Sequence, residues 1–247
     1  MFKALTRRLI PSVYARLDTD ARLGVADLVS RNFEETTYRR LAGLGFAPDG
    51  YIDVGAYHGN WTRLANKVLG QKPSLMVEGQ AALLPALESY AATRSDLSVY
   101  GGVLSATSGE EVSFYEMGTG SSIFAEASNA PRERKTVTTH TLDEVAADFL
   151  TTVAAPFLKI DVQGAELKIL AGGAKVLERA SLVQLEVAML PYNKGAPLMP
   201  EVVAWMAERG WLPTEISGFS RPSGPLVQID LLFARADSPL RPSEFRF

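Results

Sequence analysis

The chain of 247 residues contains no cysteine, which excludes disulfides and thiolate metal sites and fits a reducing compartment. No apolar run approaches the roughly 20 residues of a membrane span. The first stretch, "MFKALTRRLIPSVYARL", is interrupted by Pro11 and lacks the apolar core of a signal peptide. Its basic residues, Lys3, Arg7, Arg8 and Arg16, suit either a solvated helix face or an anionic membrane surface. A strong charge of one sign is also missing. The net charge of −3 gives no global attraction to nucleic acid. Histidine is scarce, with only His58 and His140.

What is present is globular. Hydrophobic residues make up 47% and charged residues 21%, enough for one large core, and no linker divides the chain. Residues from about 20 to 44 place Leu23, Val25, Leu28, Val29 and Phe33 at helical spacing, predicting helices that lead into a sheet. Strand and helix patterns then alternate: "GYIDVG", "NWTRLANKVL", "SLMVEG", "AALLPALESYAA", "LSVYGGVLS". A β-rich insert follows, with strands "EEVSFYEM" and "TVTTH" flanking a polar segment, 118–135, read as either a substrate lid or a surface loop. Thr141 is the expected cap of helix "LDEVAADFL", with Glu144 as capping-box partner. "APFLKIDVQG", "AELKILAGGAKVLE", "SLVQLEVAM" and "EVVAWMAERG" continue the alternation, and strands "WLPTEIS" and "LVQIDLLFAR" close it. The pattern predicts one α/β domain with a doubly wound, mostly parallel sheet and an antiparallel finish.

In such a sheet ligands bind beyond the carboxyl ends of the strands. Four predicted strand ends carry an acid: Asp53, Glu78, Asp161 and Glu186. A carboxylate there is costly to bury without a partner, and four on one rim point to a site. Gly55 and Gly59 let backbone approach a ligand closely, and the helix from Asn60 directs free N–H groups at it. The spacing D-x-G-x-x-x-G is not a pyrophosphate fingerprint. Glu78, about 25 residues on, suits both hydroxyls of a ribose. Together these features suggest an adenosine-bearing ligand such as S-adenosylmethionine.

"DVGAYHGNWT", "VEGQ", "GVLSATSGEEVSFYE", "TLDEV", "FLKIDVQGAELKILAGG" and "VQLEV", in that order, resemble the FkbM-type methyltransferase family, as does the closing "VQIDLLFAR". The resemblance covers roughly residues 30–235, and "KIDVQGAE" is its most specific motif. Gly79 and Gln80 depart from it where related sequences often have proline, implying altered adenosine contacts. The resemblance implies a class I, Rossmann-like methyltransferase fold. Seven strands, the last antiparallel, would be joined by N-terminal helices and a small β insert. Residues 1–45 would be a helical lead-in packed on the same domain, and 46–247 the S-adenosylmethionine-binding domain. Asp53, Gly55, Ala56, Tyr57 and Gly59 would wrap the methionine end and ribose. Glu78 would take the ribose diol beside Gln80. Leu104 and Ser105 would meet the adenine, and Asp161 and Gln163 would close the other side. Leu104 fits a core position equally well.

Methyl transfer to an alcohol calls for a base, and the candidates are Asp161, Glu186 and His58. Asp161 serves equally as a cofactor anchor. His58 and His140 also read as ordinary structural histidines, and Lys159 as half of a buried ion pair. Asp161 and Glu186 can alternatively hold Mg²⁺, though a required metal is not favoured. Tyr192 is the aromatic candidate for a sugar contact, whereas Trp205 and Trp211 read as packing. The expected activity is O-methylation of a hydroxyl on a sugar, glycan or specialised metabolite by a cytoplasmic enzyme. The expected partner is thus a small-molecule or glycan acceptor, not nucleic acid. A nicotinamide-type oxidoreductase and a non-catalytic nucleoside-binding module are the alternatives.

Overall fold

Four strands of the large sheet are buried at every position, as strands covered on both faces must be: β1 (Gly50–Val54), β2 (Ser74–Glu78), β7 (Pro156–Ile160) and β8 (Leu182–Ala188). The computed structural model describes residues 10–222 and 224–241, so Lys3, Arg7 and Arg8 lie outside it. With β3 (Leu97–Gly101), β9 (Trp211–Ser220) and β10 (Gln228–Arg235), these strands form a seven-stranded sheet. Its order is β3-β2-β1-β7-β8-β10-β9. All neighbours are parallel except β10, which runs antiparallel to both β8 and β9. The winding reverses between β1 and β7, so the crevice opens beyond the carboxyl ends of those two strands.

One face of the sheet packs Ile52, Leu158, Ile160, Val183 and Leu185 into the larger core. On the other, Tyr51, Phe157 and Leu182 meet Tyr38 of α2 (Phe33–Gly43) and Trp61 of α3 (Asn60–Leu69). Asp53 pairs in register with Lys159, and Lys159 with Gln184. Side chains alternate along a strand, so these three form a polar row on the face that carries Tyr51 and Phe157. The apolar positions predicted for the preceding helix, α1 (Thr19–Arg31), are not all inward. Val25 and Val29 face solvent, and Phe33 packs edge-on against Phe219.

Several predicted segments are divided by glycine. "LSVYGGVLS" splits into β3 and β4 (Val103–Leu104), which leaves for a second sheet of order β4-β6-β5, with β5 at Glu111–Glu116 and β6 at Glu133–His140. A Cβ on Gly101 would sit 2.5 Å from Leu84 Cδ1, at the start of α4 (Leu84–Ala91). "AELKILAGGAKVLE" becomes α5 (Glu166–Ala171) and α6 (Ala174–Arg179), because Gly172 passes so near the Ser105 carbonyl that a Cβ would lie 2.4 Å from it. The capping box is half made. Thr141 accepts the Glu144 N–H at 3.3 Å, while the Glu144 carboxylate turns to the Ser108 hydroxyl. Among the described residues no helix is long and apolar enough to cross a membrane.

Candidate active site

The turn after β1 exists in this form because β1 and β7 nearly touch at their ends. A Cβ on Gly55 would lie 1.9 Å from the Asp161 carbonyl oxygen, and its φ of +81° is one that side chains resist. The Gly55 and Ala56 N–H groups both donate to the Val77 carbonyl, at 2.9 and 3.0 Å. Tyr57 (φ +51°) and Gly59 (φ +71°) continue the left-handed path, and Gly59 is the N-terminal cap of α3.

Glu78 is 4% exposed, yet its carboxylate is fixed. Oε2 accepts the Tyr57 N–H at 2.7 Å and Oε1 the Gln80 N–H at 2.8 Å, leaving further lone pairs for a ligand. Gln80 also donates its side-chain amide to the Gly118 carbonyl at 3.1 Å, tying the β-rich insert to the rim.

The polar row lies beside this turn. Asp53 is fully buried; Oδ2 accepts the Thr62 hydroxyl at 2.7 Å, and Oδ1 has no hydrogen-bond partner. Burial pushes its carboxyl up, against the pull of Lys159 and Thr62. Lys159 Nζ stands 3.0 Å from Asp161 Oδ2 and 4.0 Å from Asp53 Oδ1. Burial alone would lower this ammonium's pKa, but Asp161 and Asp53 outweigh it, and the net shift is upward. It remains the cation of a buried pair.

A second network folds the "DVQGAE" turn. Glu166 Oε1 accepts the Val162 and Gly164 N–H groups, at 3.2 and 3.1 Å. Burial still pushes that carboxyl up to about 7. Gln163 (φ +60°) donates its side-chain amide to Asp161 Oδ1 at 3.3 Å and to Glu186. The other Glu186 oxygen accepts from Gln228. Burial, then Asp161 and Asp230, drive Glu186 well above the ordinary carboxylate range. Tyr192 donates to the Gln163 and Gln228 side-chain carbonyls, at 3.3 and 3.2 Å. Trp211 is wholly in the core, and Trp205 packs against it under the Arg209 guanidinium.

A cavity of about 300 Å³ runs along the rim. One end is apolar, between Val103, Leu104, Phe114 and Ile169; Glu78 and residues 55–58 line the middle; Glu34, Trp61, Lys159, Asp161 and Asp230 line the far end. Of the residues expected from the sequence, the wall includes Gly55, Ala56, Tyr57, His58, Glu78, Gln80, Leu104 and Asp161. Asp53, Gly59, Ser105, Gln163 and Glu186 stand behind it. Sequence reasoning missed Phe114, part of the 118–123 stretch that folds over the cleft, Glu34 and Asp230. Asp230 alone had a signal, an acid inside the apolar run "VQIDLLF". Among the described residues no group of three or more histidine, aspartate or glutamate side chains is placed to hold a metal ion.

Nothing in the Gly55–Gly59 turn is built for a pyrophosphate, and the far end of the cleft is anionic where a dinucleotide would need cations. The residues present fit a compact, positively charged adenosyl compound: an apolar slot, a carboxylate fixed by two backbone N–H groups with lone pairs to spare, and an anionic far end. The sheet order, with its antiparallel last pair, defines the class I, Rossmann-like methyltransferase fold. Residues 53–212 match the methyltransferase FkbM domain, and the chain belongs to that family. Among curated proteins no sequence matches it.

Similar solved structures include methyltransferase FkbM from Methylobacillus flagellatus KT. Identity is 16% and TM-score 0.47, over 76% of this chain and 43% of that one. The present chain thus spans less than half of that relative's length. Magnesium protoporphyrin IX methyltransferase from Synechocystis PCC 6803, with bound S-adenosylmethionine, is similar at 12% identity and TM-score 0.44, over 83% of this chain and 81% of that one. Aeropyrum pernix fibrillarin, also with S-adenosylmethionine, is similar at 9% identity and TM-score 0.44, over 75% and 66% respectively.

Proposed function

We propose that the protein methylates a hydroxyl oxygen on a sugar, glycan or specialised metabolite. The observation that carries this reading is the continuation of the cleft past Asp161 to Glu34 and Asp230, where carboxylates outnumber the single lysine. A hydroxyl entering there meets groups able to take its proton. When bound, S-adenosylmethionine supplies a methyl group on a sulfonium, an electrophile that needs no further activation.

In this reading residues 46–247 form the catalytic unit and α2 covers its acceptor end. Leu104, with Ser105 behind it, forms the adenine slot. Glu78 accepts both ribose hydroxyls, with Gln80 beside it. The Asp53–Gly59 segment surrounds the methionine end, with Asp53 holding the turn from beneath through Thr62. Asp161, oriented by Lys159 and Gln163, faces the reacting centre and fixes its alignment, from which much of the acceleration comes. Glu186 acts behind it by holding Gln163, and His58 flanks the centre from the turn.

Two measurements test the reading. Calorimetry is expected to show binding of S-adenosylhomocysteine and none of NAD. A panel of methyl glycosides, phenols and aliphatic alcohols, incubated with methyl-tritiated S-adenosylmethionine, is expected to give an alkali-stable ether product. Label appearing only on amines or carboxylates would overturn it.

A further inference from the structure

Asp230 is set apart from the other acids of the cleft by having nothing to hold. Glu78 is bound by two backbone amides, Asp161 by Lys159 and Gln163, and Glu186 by two glutamines. Glu34 accepts from Tyr38 and Gln184, at 2.8 and 2.9 Å. The Asp230 carboxylate lines the acceptor end and accepts no hydrogen bond from any described residue.

Its position is built by the sheet. Asp230 lies on β10 between Glu186 of β8 and Gly218 of β9, where the β9 ladder shifts register. It leans over Gly218 so closely that a Cβ there would be 2.1 Å from Oδ2. The glycine makes the recess that lets this carboxylate lie across the sheet edge. Asp230 is half-buried and opens on the cleft; a carboxylate drawn this far from water with no partner is costly for stability alone, so its presence calls for a task.

We propose that Asp230 is the general base that removes the acceptor's hydroxyl proton. The inference rests on the hydroxyl-acceptor reading above. The O–H proton passes to an Asp230 carboxylate oxygen as the acceptor oxygen forms its bond to the methyl carbon. The carbon–sulfur bond breaks and sulfur keeps the electron pair, so a neutral thioether leaves and the proton ends on Asp230. The groups facing Asp230 are Glu34 and Tyr38 from α2, Lys159 from β7, Asp161 from the turn after it, and Glu186 from β8; Gly218 of β9 offers none. Burial pushes Asp230 up to about 7, Asp161 adds to the rise, Lys159 restrains it and Glu34 adds again. That places proton capture near neutral pH, where a base is most effective.

The test uses the full chain, S-adenosylmethionine and the hydroxyl compound from the panel that is turned over fastest. Asp230→Asn is expected to lower turnover by about 10²- to 10⁴-fold and to abolish the rise of rate with pH through about 7. S-adenosylhomocysteine affinity should stay within about twofold. Asp230→Ala should be partly rescued by formate, which a structural role would not allow. A variant that keeps its rate and acid limb overturns the proposal, as does a parallel loss of S-adenosylhomocysteine binding. If the wild-type protein methylates no hydroxyl, the acceptor reading fails. The carbon-13 signal of the Asp230 carboxyl in the S-adenosylhomocysteine complex then judges the residue alone. Titration near 7 keeps it as a free proton acceptor, and a midpoint below about 5 removes it.

Discussion

Glu78 and Gly55 carry opposite burdens at one crevice. The Glu78 carboxylate is held by two backbone N–H groups, so its orientation is set before any ligand arrives. Replacing it with alanine removes the ligand's acceptor and leaves both donors unpaired. Glu78→Ala is therefore expected to weaken S-adenosylhomocysteine binding by roughly 1–3 kcal/mol in calorimetry, and unchanged affinity would remove the ribose assignment. Gly55 is about backbone alone. Alanine there costs about 1–3 kcal/mol for the left-handed φ and must also push the Asp161 carbonyl away. Gly55→Ala should lower the unfolding midpoint and S-adenosylhomocysteine affinity together. Both residues were legible in the sequence because an acid and a glycine at a strand end are rare without cause. Asp53 was equally legible, but its depth was not. Facing α3 rather than the cleft follows from side-chain parity in a register only the assembled sheet defines.

At the scale of elements, the cover over the far end of the cleft depends on one hydroxyl. Tyr38 on α2 accepts from Trp61 Nε1 at 2.5 Å and donates to Glu34 Oε1, joining α2 to α3 over the polar row. Tyr38→Phe keeps the packing against Phe157 but leaves the Trp61 N–H buried with no acceptor. The expected loss is about 1–3 kcal/mol in denaturant unfolding, with the slope unchanged. A loss below about 0.3 kcal/mol would show that water or Glu34 replaces the hydroxyl. The strands were readable because continuous apolar runs have few alternatives. The breaks at Gly101–Gly102 and Gly172–Gly173 were not, since they answer to the Leu84 side chain and the Ser105 carbonyl across the fold. The 118–135 segment, open between lid and surface loop, is divided: residues 118–123 fold over the cleft through the Tyr115–Ser122 pairing, and β6 begins at Glu133. Glu34 carried no signal at all, being one acid in the polar sequence "FEETTYRR".

The whole molecule bears the cost of gathering acids at one rim, and that cost has a sign. Burial is the first cause raising Glu166 and Asp230, each to about 7, and it also raises Asp53 and Glu186. An unfolded chain releases these protons near pH 4, so between pH 4 and 7 the folded state binds more protons than the unfolded one. Their contribution to stability is complete below about pH 4 and is lost as pH rises through the folded values. Each such group steepens the decline by up to about 1.4 kcal/mol per pH unit. The opposing carboxylates, Glu35, Asp96 and Glu144, are lowered by hydrogen bonds from Arg39, Arg94 and Ser108. They are solvent-exposed, and their stabilising effect fades only on acidification through the usual carboxylate range. Thermal unfolding is therefore expected to show a midpoint that falls from pH 5.5 to pH 8. In Asp230→Asn the fall should be shallower, and the variant should be the more stable protein at pH 8. A wild-type midpoint that is flat or rising over that interval would mean that the rim acids are solvated or paired. In that case Asp230 would lack the near-neutral affinity for a proton that a base at this site requires.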